Sequence, residues 1–228
     1  MTPQRGDSEA VLDAYYPSIA LEKKKNIRMY LMAKRALDII GASIGILILL
    51  PLFLVIVIIM KIEDPRGPIF FHQKRVGKNE ILFKMYKFRS MVTNAEELLQ
   101  SLLSKNEIEG HMFKMKDDPR ITKFGKIMRK TSIDELPQLW NVLRGDMSLV
   151  GPRPALEREV AEYTKHDKLR LKVTPGCTGL WQVSGRNSLS FSQMVDLDIQ
   201  YIRQRSIVFD IKIILKTVKV LFGSKDAF

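Results

Sequence analysis

The chain has 228 residues and a formal net charge of +12, with a pI near 9.7. This length allows one principal domain with a real core, and the excess of positive charge indicates acidic partners such as nucleic acid, anionic lipid or phosphorylated small molecules. A single cysteine, Cys177, excludes an internal disulfide framework, and the 3 histidines make no metal-ligand spacing with it. The composition therefore gives no reason to expect a structural zinc site.

Residues 1–33 are interpreted as a flexible and charged N-terminal segment. They begin with acidic and polar residues and lack the basic and then apolar pattern of a cleaved secretory signal. Residues 18–38 are rich in charge and predict a helix that leads into the next segment without a clear break.

Residues 39–60 form an apolar run without any charged side chain. At about 1.5 Å per residue, a straight helix of this length measures about 33 Å, which is enough to cross a hydrocarbon core of about 30 Å. Pro51 lies inside the run, where it removes a backbone donor and favours a kink. The run is therefore a membrane segment whose helix is predicted to bend at Pro51.

Basic residues lie on both sides of this run, and the positive-inside rule places both ends on the cytoplasmic side. A helix that enters one leaflet and returns satisfies this pattern better than a single span, which stays open as the alternative. We expect residues 34–61 to form the re-entrant helix and residues 62–228 a cytoplasmic catalytic domain. The flanking charges are Lys23, Lys24, Lys25, Arg28, Lys34 and Arg35 before the run, and Lys61, Arg66, Lys74, Arg75 and Lys78 after it.

The next residues predict a β-hairpin, because two apolar-rich stretches flank Gly77, Lys78 and Asn79. Its second arm carries Lys87 and Arg89. Helices are then predicted from residue 93 or 94 to about 105, over residues 121–129 and over residues 132–144, with a loop at residues 106–120.

Ser132, Asp134 and Glu135 stand where the helix of residues 132–144 is predicted to begin. Ser132 and Glu135 have the spacing of a capping box, which explains both residues without any catalytic role. Asp134 is not needed for that cap. Two adjacent carboxylates at the positive end of a helix, next to Arg129, favour the ionised form and could bind a divalent cation or act as a nucleophile.

Arg153 lies between Pro152 and Pro154, after Gly151. A guanidinium on such a rigid backbone suits bidentate binding of phosphate, because it loses little freedom when the ligand arrives. The alternative is a rigid turn with a solvent-exposed arginine.

Residues 154–173 predict a further helix, and the glycine-rich residues 174–187, which include Arg186, predict a second backbone-rich cradle. A helix follows over residues 190–205. The last helix, residues 207–222, places Lys212, Lys216 and Lys219 on one side. It is interpreted either as a helix in the membrane interface or as a docked C-terminal helix with one wet face.

These elements predict an α+β fold that is predominantly helical, with a re-entrant membrane helix kinked at proline, a small β-hairpin and amphipathic interfacial helices. From about residue 34 to residue 222 the chain resembles the bacterial sugar transferase family, the monotopic phosphoglycosyl transferases. The resemblance rests on the ordered motifs KRALDII, FFHQKRVG, FKMYKFRSM, TSIDELPQLWNVLRGDMSLVGPRP, TPGCTGLWQVSGRN and DLDIQYI.

The resemblance implies that Asp134 is the nucleophile and that Glu135, together with Asp134, holds Mg²⁺. It also assigns Arg129, Arg153, Lys87, Arg89, Arg186 and Asp198 to the phosphate, nucleotide or metal environment. One departure is Leu50 before Pro51, where many members have Ser-Pro. Another is the lack of the membrane helices that precede the catalytic part in longer members, so the chain is either a short member or an isolated catalytic portion.

The implied reaction moves a sugar-1-phosphate from a UDP-sugar to polyprenyl (undecaprenyl) phosphate and releases UMP. Asp134 would form an acyl-phosphate with the phosphosugar, at the cytoplasmic face of the bacterial inner membrane, and so initiate exopolysaccharide or capsule synthesis. Glucose or galactose is the expected sugar, and N-acetylated sugars stay open. Membrane lipid is an expected partner, nucleic acid is not, and a homodimer is compatible with the sequence.

Two other functions stay open. A membrane-anchored basic scaffold that binds anionic lipid without catalysis would explain the charge and the apolar run, but it gives no reason for Asp134 and Glu135 beside Arg153. A polytopic polyprenyl-phosphate transferase without a covalent intermediate needs many spanning helices, and the sequence contains one long apolar run.

Overall fold

The computed structural model describes residues 24–102, 115, 117–185 and 189–223. The described part is predominantly helical and carries two small sheets, which confirms the predicted predominantly helical α+β class. The helices are α1 (Lys24–Glu63), α2 (Ala95–Leu102), α3 (Lys123–Lys130), α4 (Gln138–Arg144), α5 (Glu157–Ala161), α6 (Phe191–Gln204) and α7 (Ile207–Gly223). The strands are β1 (Phe70–Val76), β2 (Leu82–Phe88), β3 (Ser148–Val150) and β4 (Gly176–Thr178), and 3₁₀ turns span Lys78–Glu80, Ile133–Glu135, Asp167–Lys172 and Trp181–Val183.

Helix α1 runs through the whole apolar segment. Among the described residues it is the one helix long and apolar enough to cross a membrane, and only 11% of its most apolar stretch is buried in the protein. Ala42 and Ile56 are buried, whereas no residue between them is. The assigned helix continues through Pro51, so the bend at Pro51 stays a prediction.

A buried ion pair connects the beginning of α1 to α7. The Lys34 ammonium lies 2.9 Å from a carboxylate oxygen of Asp210, which is completely buried. Tyr201 of α6 and Tyr30 of α1 donate hydrogen bonds to the same carboxylate at 2.8 and 3.0 Å. The buried charge of Asp210 is therefore fully compensated, as a charge removed from water requires.

Two further polar contacts fasten the same stretch of α1. The Arg35 guanidinium donates to the backbone carbonyls of Val142 and Leu143, both at 2.6 Å, near the C-terminal end of α4. Asp38 accepts hydrogen bonds at 2.9 Å from the Ser148 hydroxyl and from the following backbone amide of β3. A cation at the negative end of a helix is favourable, so these contacts fix α1 against α4 and β3.

The predicted hairpin is confirmed. Strands β1 and β2 pair antiparallel from Phe70 opposite Phe88 to Val76 opposite Leu82. Asn79 adopts a positive φ of 55° in the connection, a conformation that asparagine tolerates better than most residues. Helices α2, α3, α6 and α7 are also found where the sequence predicts them, although the predicted end of α2 and most of the loop at residues 106–120 lie outside the described residues.

The predicted single helix over residues 132–144 is wrong. Ser132 has a left-handed φ of 56° and makes no side-chain capping bond, so the capping box does not form. A short 3₁₀ turn follows, and α4 begins only after Pro137, as expected for a residue that favours the first turn of a helix. Gly145 ends α4 with a φ of 89°, as predicted.

The predicted helix over residues 154–173 is also wrong, because α5 ends at Ala161 and a separate 3₁₀ helix spans Asp167–Lys172. The structure adds a parallel pair of short strands, β3 and β4, that the sequence did not predict. The strands approach so closely that a Cβ on Gly176 would lie 2.0 Å from the backbone nitrogen of Gly151. Glycine is therefore required at this contact.

Helix α7 has one buried face and one exposed face that carries the lysines, as its sequence suggests. Ile213 and Asp210 are buried against the protein, whereas the three lysines of the predicted stripe are exposed. Four apolar side chains of α7 are exposed as well, namely Val208, Ile211, Leu215 and Val218. Location in a membrane interface stays a prediction for this helix.

The first testable prediction concerns the buried ion pair. Lys34→Met leaves the Asp210 carboxylate buried without its cation and should lower the free energy of unfolding by about 3–5 kcal/mol. The Lys34→Met/Asp210→Asn double variant should recover part of this loss. Thermal unfolding in detergent measures both, with Asp196→Asn as control, because the exposed His166 contact that it removes should contribute about 1 kcal/mol or less. An equal, small effect of Lys34→Met and of the control would contradict the assignment.

Candidate active site

The candidate site is built around the short turn Ile133–Glu135, which lies between α3 and α4. Asp134 is buried, with only 7% of the residue exposed. The apolar residues on both sides of the carboxylate pair, Ile133 and Leu136, pack against a cluster that includes Ile56 and Met60 of α1. The turn therefore packs on the second half of α1.

Glu135 forms an ion pair with Lys87. The ammonium of Lys87, on β2, lies 2.6 Å from Oε1 of Glu135, and the two side chains are 17% and 30% exposed. The hairpin thereby places the Lys87 ammonium next to the carboxylate pair. This position agrees with the prediction that Lys87 lies in the same region as Asp134 and Glu135. Because Lys87 contacts one carboxylate oxygen, a second oxygen of Glu135 is available for another cation or donor.

The two adjacent carboxyl groups have opposite pKa shifts. Burial favours a higher pKa for Glu135, but the charges of Lys87 and Arg153 outweigh burial and lower this pKa to about 2. Burial raises the pKa of Asp134, and the neighbouring Glu135 charge raises it further against the opposing effect of Lys87. For Glu135 the direction of the pKa shift agrees with the expected preference for the ionised form, whereas for Asp134 the pKa shift has the opposite direction.

Two arginines face Glu135 across a small cleft. Arg75 of β1 is buried and donates a hydrogen bond to the carbonyl of Pro154 at 3.0 Å. Arg153 is half-buried between the buried Pro152 and Pro154, so its backbone is held as predicted. The cleft is lined by Arg75, Met85, Glu135, Gln138, Arg153, Pro154, Gly176, Cys177 and Gln182.

Arg75 is the main residue of this cleft that sequence reasoning missed. It was considered only as one of the positive charges that follow the apolar run. Burial lowers the pKa of Arg75 to about 10, and the like charge of Arg153 acts in the same direction. Two guanidinium groups that line one cleft favour the binding of an anion there. A buried arginine in a strand is the signal that could have identified it, but burial is not visible in one sequence.

Arg129 lies on the other side of the carboxylate pair, in the last turn of α3. Its Nε donates to the Ser90 hydroxyl at 3.0 Å. Burial lowers the pKa of Arg129, and the negative charge of Asp134 is the strongest opposing effect. Arg129 is therefore within electrostatic reach of Asp134, where the sequence analysis expected it.

Two other predicted site residues, Arg89 and Asp198, form their contacts with protein groups outside the cleft. Arg89 donates to Asp64 at 2.8 Å and to the carbonyl of Pro68 at 2.7 Å, so it braces the turn after α1. Asp198 is completely buried and forms an ion pair with Arg170 at 2.5 Å. Neither is among the residues that line the cleft. Arg186 lies outside the described residues.

A metal ion would have few protein ligands at this site. The described residues contain no group of three or more His, Cys, Asp or Glu side chains suited to a metal. Asp134 and Glu135 alone supply two carboxylates, which is a donor set for Mg²⁺ when substrate phosphates and water complete the shell. The donors are wrong for a structural zinc site, which needs four protein ligands of the Cys and His type.

The second prediction tests the contact between Lys87 and Glu135 with a double-mutant cycle in Lys87→Met and Glu135→Gln. Because the pKa of Glu135 is lowered to about 2, its pairing should stabilise the fold fully above its ordinary value of 4.5 and lose this effect as the pH falls toward 2. We expect a coupling energy of about 1–3 kcal/mol at pH 7 from chemical unfolding. The exposed pair of Lys168 and Glu80 provides the control cycle, with less than about 1 kcal/mol. Equal coupling in both cycles would contradict a special role for Lys87.

Comparison with known proteins connects this geometry to a family. The galactosyl transferase CpsE of Streptococcus agalactiae serotype III is 54% identical over 195 residues, which are 84% of this chain and 42% of that protein. The UDP-galactose-lipid carrier transferase of Erwinia amylovora is 46% identical over 199 residues, 86% of this chain and 41% of that protein.

The undecaprenyl-phosphate galactose phosphotransferase of Salmonella typhimurium is 44% identical over 199 residues, again 86% of this chain and 41% of that protein. The chain thus spans about two fifths of the length of these three relatives. The family model described as bacterial sugar transferase matches residues 29–224, which include most of α1, the hairpin, the carboxylate pair and both arginines of the cleft. This match and the identity to these relatives show that the chain belongs to the bacterial sugar transferase family.

Proposed function

We propose that the chain transfers a sugar-1-phosphate from a UDP-sugar to undecaprenyl phosphate, releases UMP and thereby initiates the synthesis of a surface polysaccharide. The observation that carries this proposal is a buried carboxyl group, Asp134, beside Glu135, in a region that also holds Lys87, Arg75 and Arg153. Such a site combines a nucleophile with the positive charge that two phosphate-bearing substrates require. Family membership and the names of the relatives point to the same class of reaction.

The reaction proceeds in two displacements at one phosphorus atom. A carboxylate oxygen of Asp134 attacks the phosphorus that bears the sugar, and the bond to the UMP oxygen breaks, so that UMP leaves with the electron pair. An oxygen of undecaprenyl phosphate then attacks the same phosphorus, and the acyl-phosphate bond breaks, which returns the Asp134 carboxylate. A general base is not required, because both nucleophiles are ionised near neutral pH.

The pKa shifts suit these roles. Burial makes the Asp134 carboxylate more basic than a carboxylate in water, and therefore a stronger nucleophile while it stays ionised. Glu135 keeps its negative charge because Lys87 and Arg153 lower its pKa. Arg75 and Arg153 offset the repulsion between an attacking carboxylate and the substrate phosphates, which is the main electrostatic barrier to this step.

Mg²⁺ is part of the proposal. Glu135 and Asp134 would hold it together with substrate phosphates, and the bound ion would supply neutralisation of phosphate charge. Lys87 occupies one carboxylate oxygen of Glu135, so the other oxygen would be the one that holds Mg²⁺, and the ammonium would add to the positive charge that offsets the substrate phosphates.

We also propose that α1 enters the cytoplasmic leaflet of the bacterial inner membrane and returns. Near its beginning α1 is fixed by Lys34 and Asp38, and near its end Met60 packs beneath the carboxylate turn, so both ends contact one globular part. Between Ala42 and Ile56 no residue is buried, and the exposed apolar side chains, among them Leu47, Ile48 and Leu54, are available to lipid. A single span would put the two ends of the segment on opposite sides of a hydrocarbon core about 30 Å thick, so contact of both ends with one domain favours re-entry.

The sugar is proposed to be galactose or glucose. The three relatives reported above carry galactose or galactosyl in their names. A membrane-anchored scaffold without catalysis is the alternative from another class. The observation that disfavours it is the cleft that brings Glu135 together with two arginines, next to the buried Asp134 of the same turn.

The third prediction is the assay that decides between these functions. The protein in detergent, given a panel of UDP-sugars, undecaprenyl phosphate and Mg²⁺, should release UMP with UDP-galactose or UDP-glucose. Asp134→Asn should reduce turnover by at least about a thousandfold, because an amide cannot attack phosphorus. Thermal unfolding of the variant controls for loss of the fold. Substantial activity of a folded Asp134→Asn protein would refute the covalent mechanism, and no UMP release with any UDP-sugar would favour the scaffold.

The fourth prediction concerns the shape of the cation at Arg153. Arg153→Lys keeps the charge but cannot form two parallel hydrogen bonds to phosphate, so turnover should fall about tenfold or more. Arg158→Lys is the matched control, because this exposed arginine on α5 does not line the cleft. If both variants keep wild-type rates of UMP release, Arg153 is only a turn residue.

The fifth prediction tests the path of α1. Single cysteines at Lys25 and Lys78, in a Cys177→Ser background, should both react with a membrane-impermeant thiol reagent from the cytoplasmic side alone. Pro51→Leu should allow a straighter helix and move a fraction of molecules to labelling from opposite sides. Labelling of the two positions from opposite sides in the parent protein would establish a single span, and the catalytic proposal would survive that result.

A further inference from the structure

A second cavity lies at the beginning of α1 and shares no lining residue with the cleft of Glu135. Its volume is about 210 Å³, below the range of about 300–1,000 Å³ that is typical of sites for drug-sized ligands. Its lining includes Lys34, Arg35, Asp38, Lys78, Lys172 and Arg205. The enzyme chemistry proposed above gives this cavity no role.

The cavity brings together five cationic side chains from distant parts of the chain, of which two are already engaged. Lys34 is paired with Asp210, and Arg35 is bonded to backbone carbonyls of α4. The one carboxylate that lines the cavity, Asp38, accepts its hydrogen bonds from β3 and does not pair with either of the remaining lysines.

The other three cations carry an excess of positive charge. Within the described residues, neither Lys78 nor Lys172 has a carboxylate within 4.0 Å, and Arg205 lies over the Tyr30 ring at 5.9 Å. Lys78 comes from the tip of the hairpin and Lys172 from the 3₁₀ helix that packs near it. Cations held close together without counter-charge repel one another, so an anion in the cavity would stabilise this arrangement.

The surroundings of the cavity indicate which kind of anion would bind there. Leu31 lines the cavity and is 44% exposed, and the adjacent Met32 is 67% exposed. This polar stretch of α1 directly precedes the apolar run that begins at residue 39. If that run enters the bilayer, the cavity lies at the depth of the lipid headgroups, with apolar side chains at its rim.

We infer that this cavity binds the phosphate headgroup of an anionic membrane lipid, at a site separate from the one that holds Asp134. The phosphate lies among Lys78, Lys172 and Arg205, and the acyl chains leave past Leu31. The lipid thereby fastens the beginning of α1 to the headgroup layer. This inference does not depend on the reaction proposed for Asp134.

Calorimetry of the full chain in neutral detergent tests the inference with short-chain phosphatidylglycerol as the probe. Phosphatidylglycerol should bind, and phosphatidylcholine of the same chain length should bind at least about tenfold more weakly, because its headgroup has no net charge. Glycerol phosphate is the soluble arm. If it binds as tightly as phosphatidylglycerol, the site recognises phosphate alone and a lipid origin is refuted.

Matched charge variants locate the site. Lys78→Gln/Lys172→Gln should weaken phosphatidylglycerol binding about tenfold or more, whereas Lys74→Gln/Lys84→Gln removes the same charge from the exposed faces of the hairpin and should change it less than about twofold. Equal weakening by the two pairs would show general attraction and overturn the inference. Asp134→Asn should leave the affinity unchanged, and an affinity that follows this substitution would assign the lipid to the cleft and also overturn it.

Discussion

The packing of two apolar side chains, Ile133 and Leu136, against α1 is the contact on which the candidate site depends. These residues flank Asp134 and Glu135 and lie on Ile56 and Met60. The long apolar helix α1 is therefore also the support of the carboxylate pair. The hairpin contributes Phe88 to the same cluster, so the second half of α1 contacts both the turn and the strand that carries Lys87. Movement of this half of α1 would therefore displace the turn relative to Lys87.

The charges in the cleft follow from this placement. Because the turn is packed on apolar residues, Asp134 is buried and its pKa rises, whereas Glu135 faces Lys87 and Arg153 and its pKa falls. Two neighbouring carboxyl groups in the same turn thus acquire different properties from their surroundings alone. A single sequence shows two adjacent acids, but it does not show which of them faces the core.

The sequence predicted the long elements and missed the short ones, for physical reasons that particular residues illustrate. Helices α1, α6 and α7 and the hairpin have clear periodicity or turn signals. The break before α4 depends on Ile133 and Leu136 packing on α1, and β3 and β4 depend on the close approach of Gly151 and Gly176, so both are set by tertiary contacts.

The dependence on tertiary contacts also limits what the sequence predicts about the site residues. Lys87 and Arg153 lie near Glu135, as the family motifs that carry them suggest, and their roles toward phosphate stay predictions. No motif indicated that Arg75 lines the same cleft. Arg89 and Asp198, which were expected near phosphate or metal, each have a protein partner in the structure. Residue type shows that a charge needs a partner, and only the fold shows whether that partner is a ligand or another side chain.

The positive-inside rule counts all basic residues near the apolar run alike, although some of them are engaged by protein partners in the structure. Lys34 and Arg35 are engaged by Asp210 and by the end of α4, so they fix α1 to the protein and contribute little free charge to the membrane surface. Lys78 and Lys172 are remote in sequence but share a cavity with that stretch of α1. On the proposed placement of α1 in the membrane, the positive charge near the headgroups comes largely from the globular part, and the position of the helix is coupled to the fold of the whole domain.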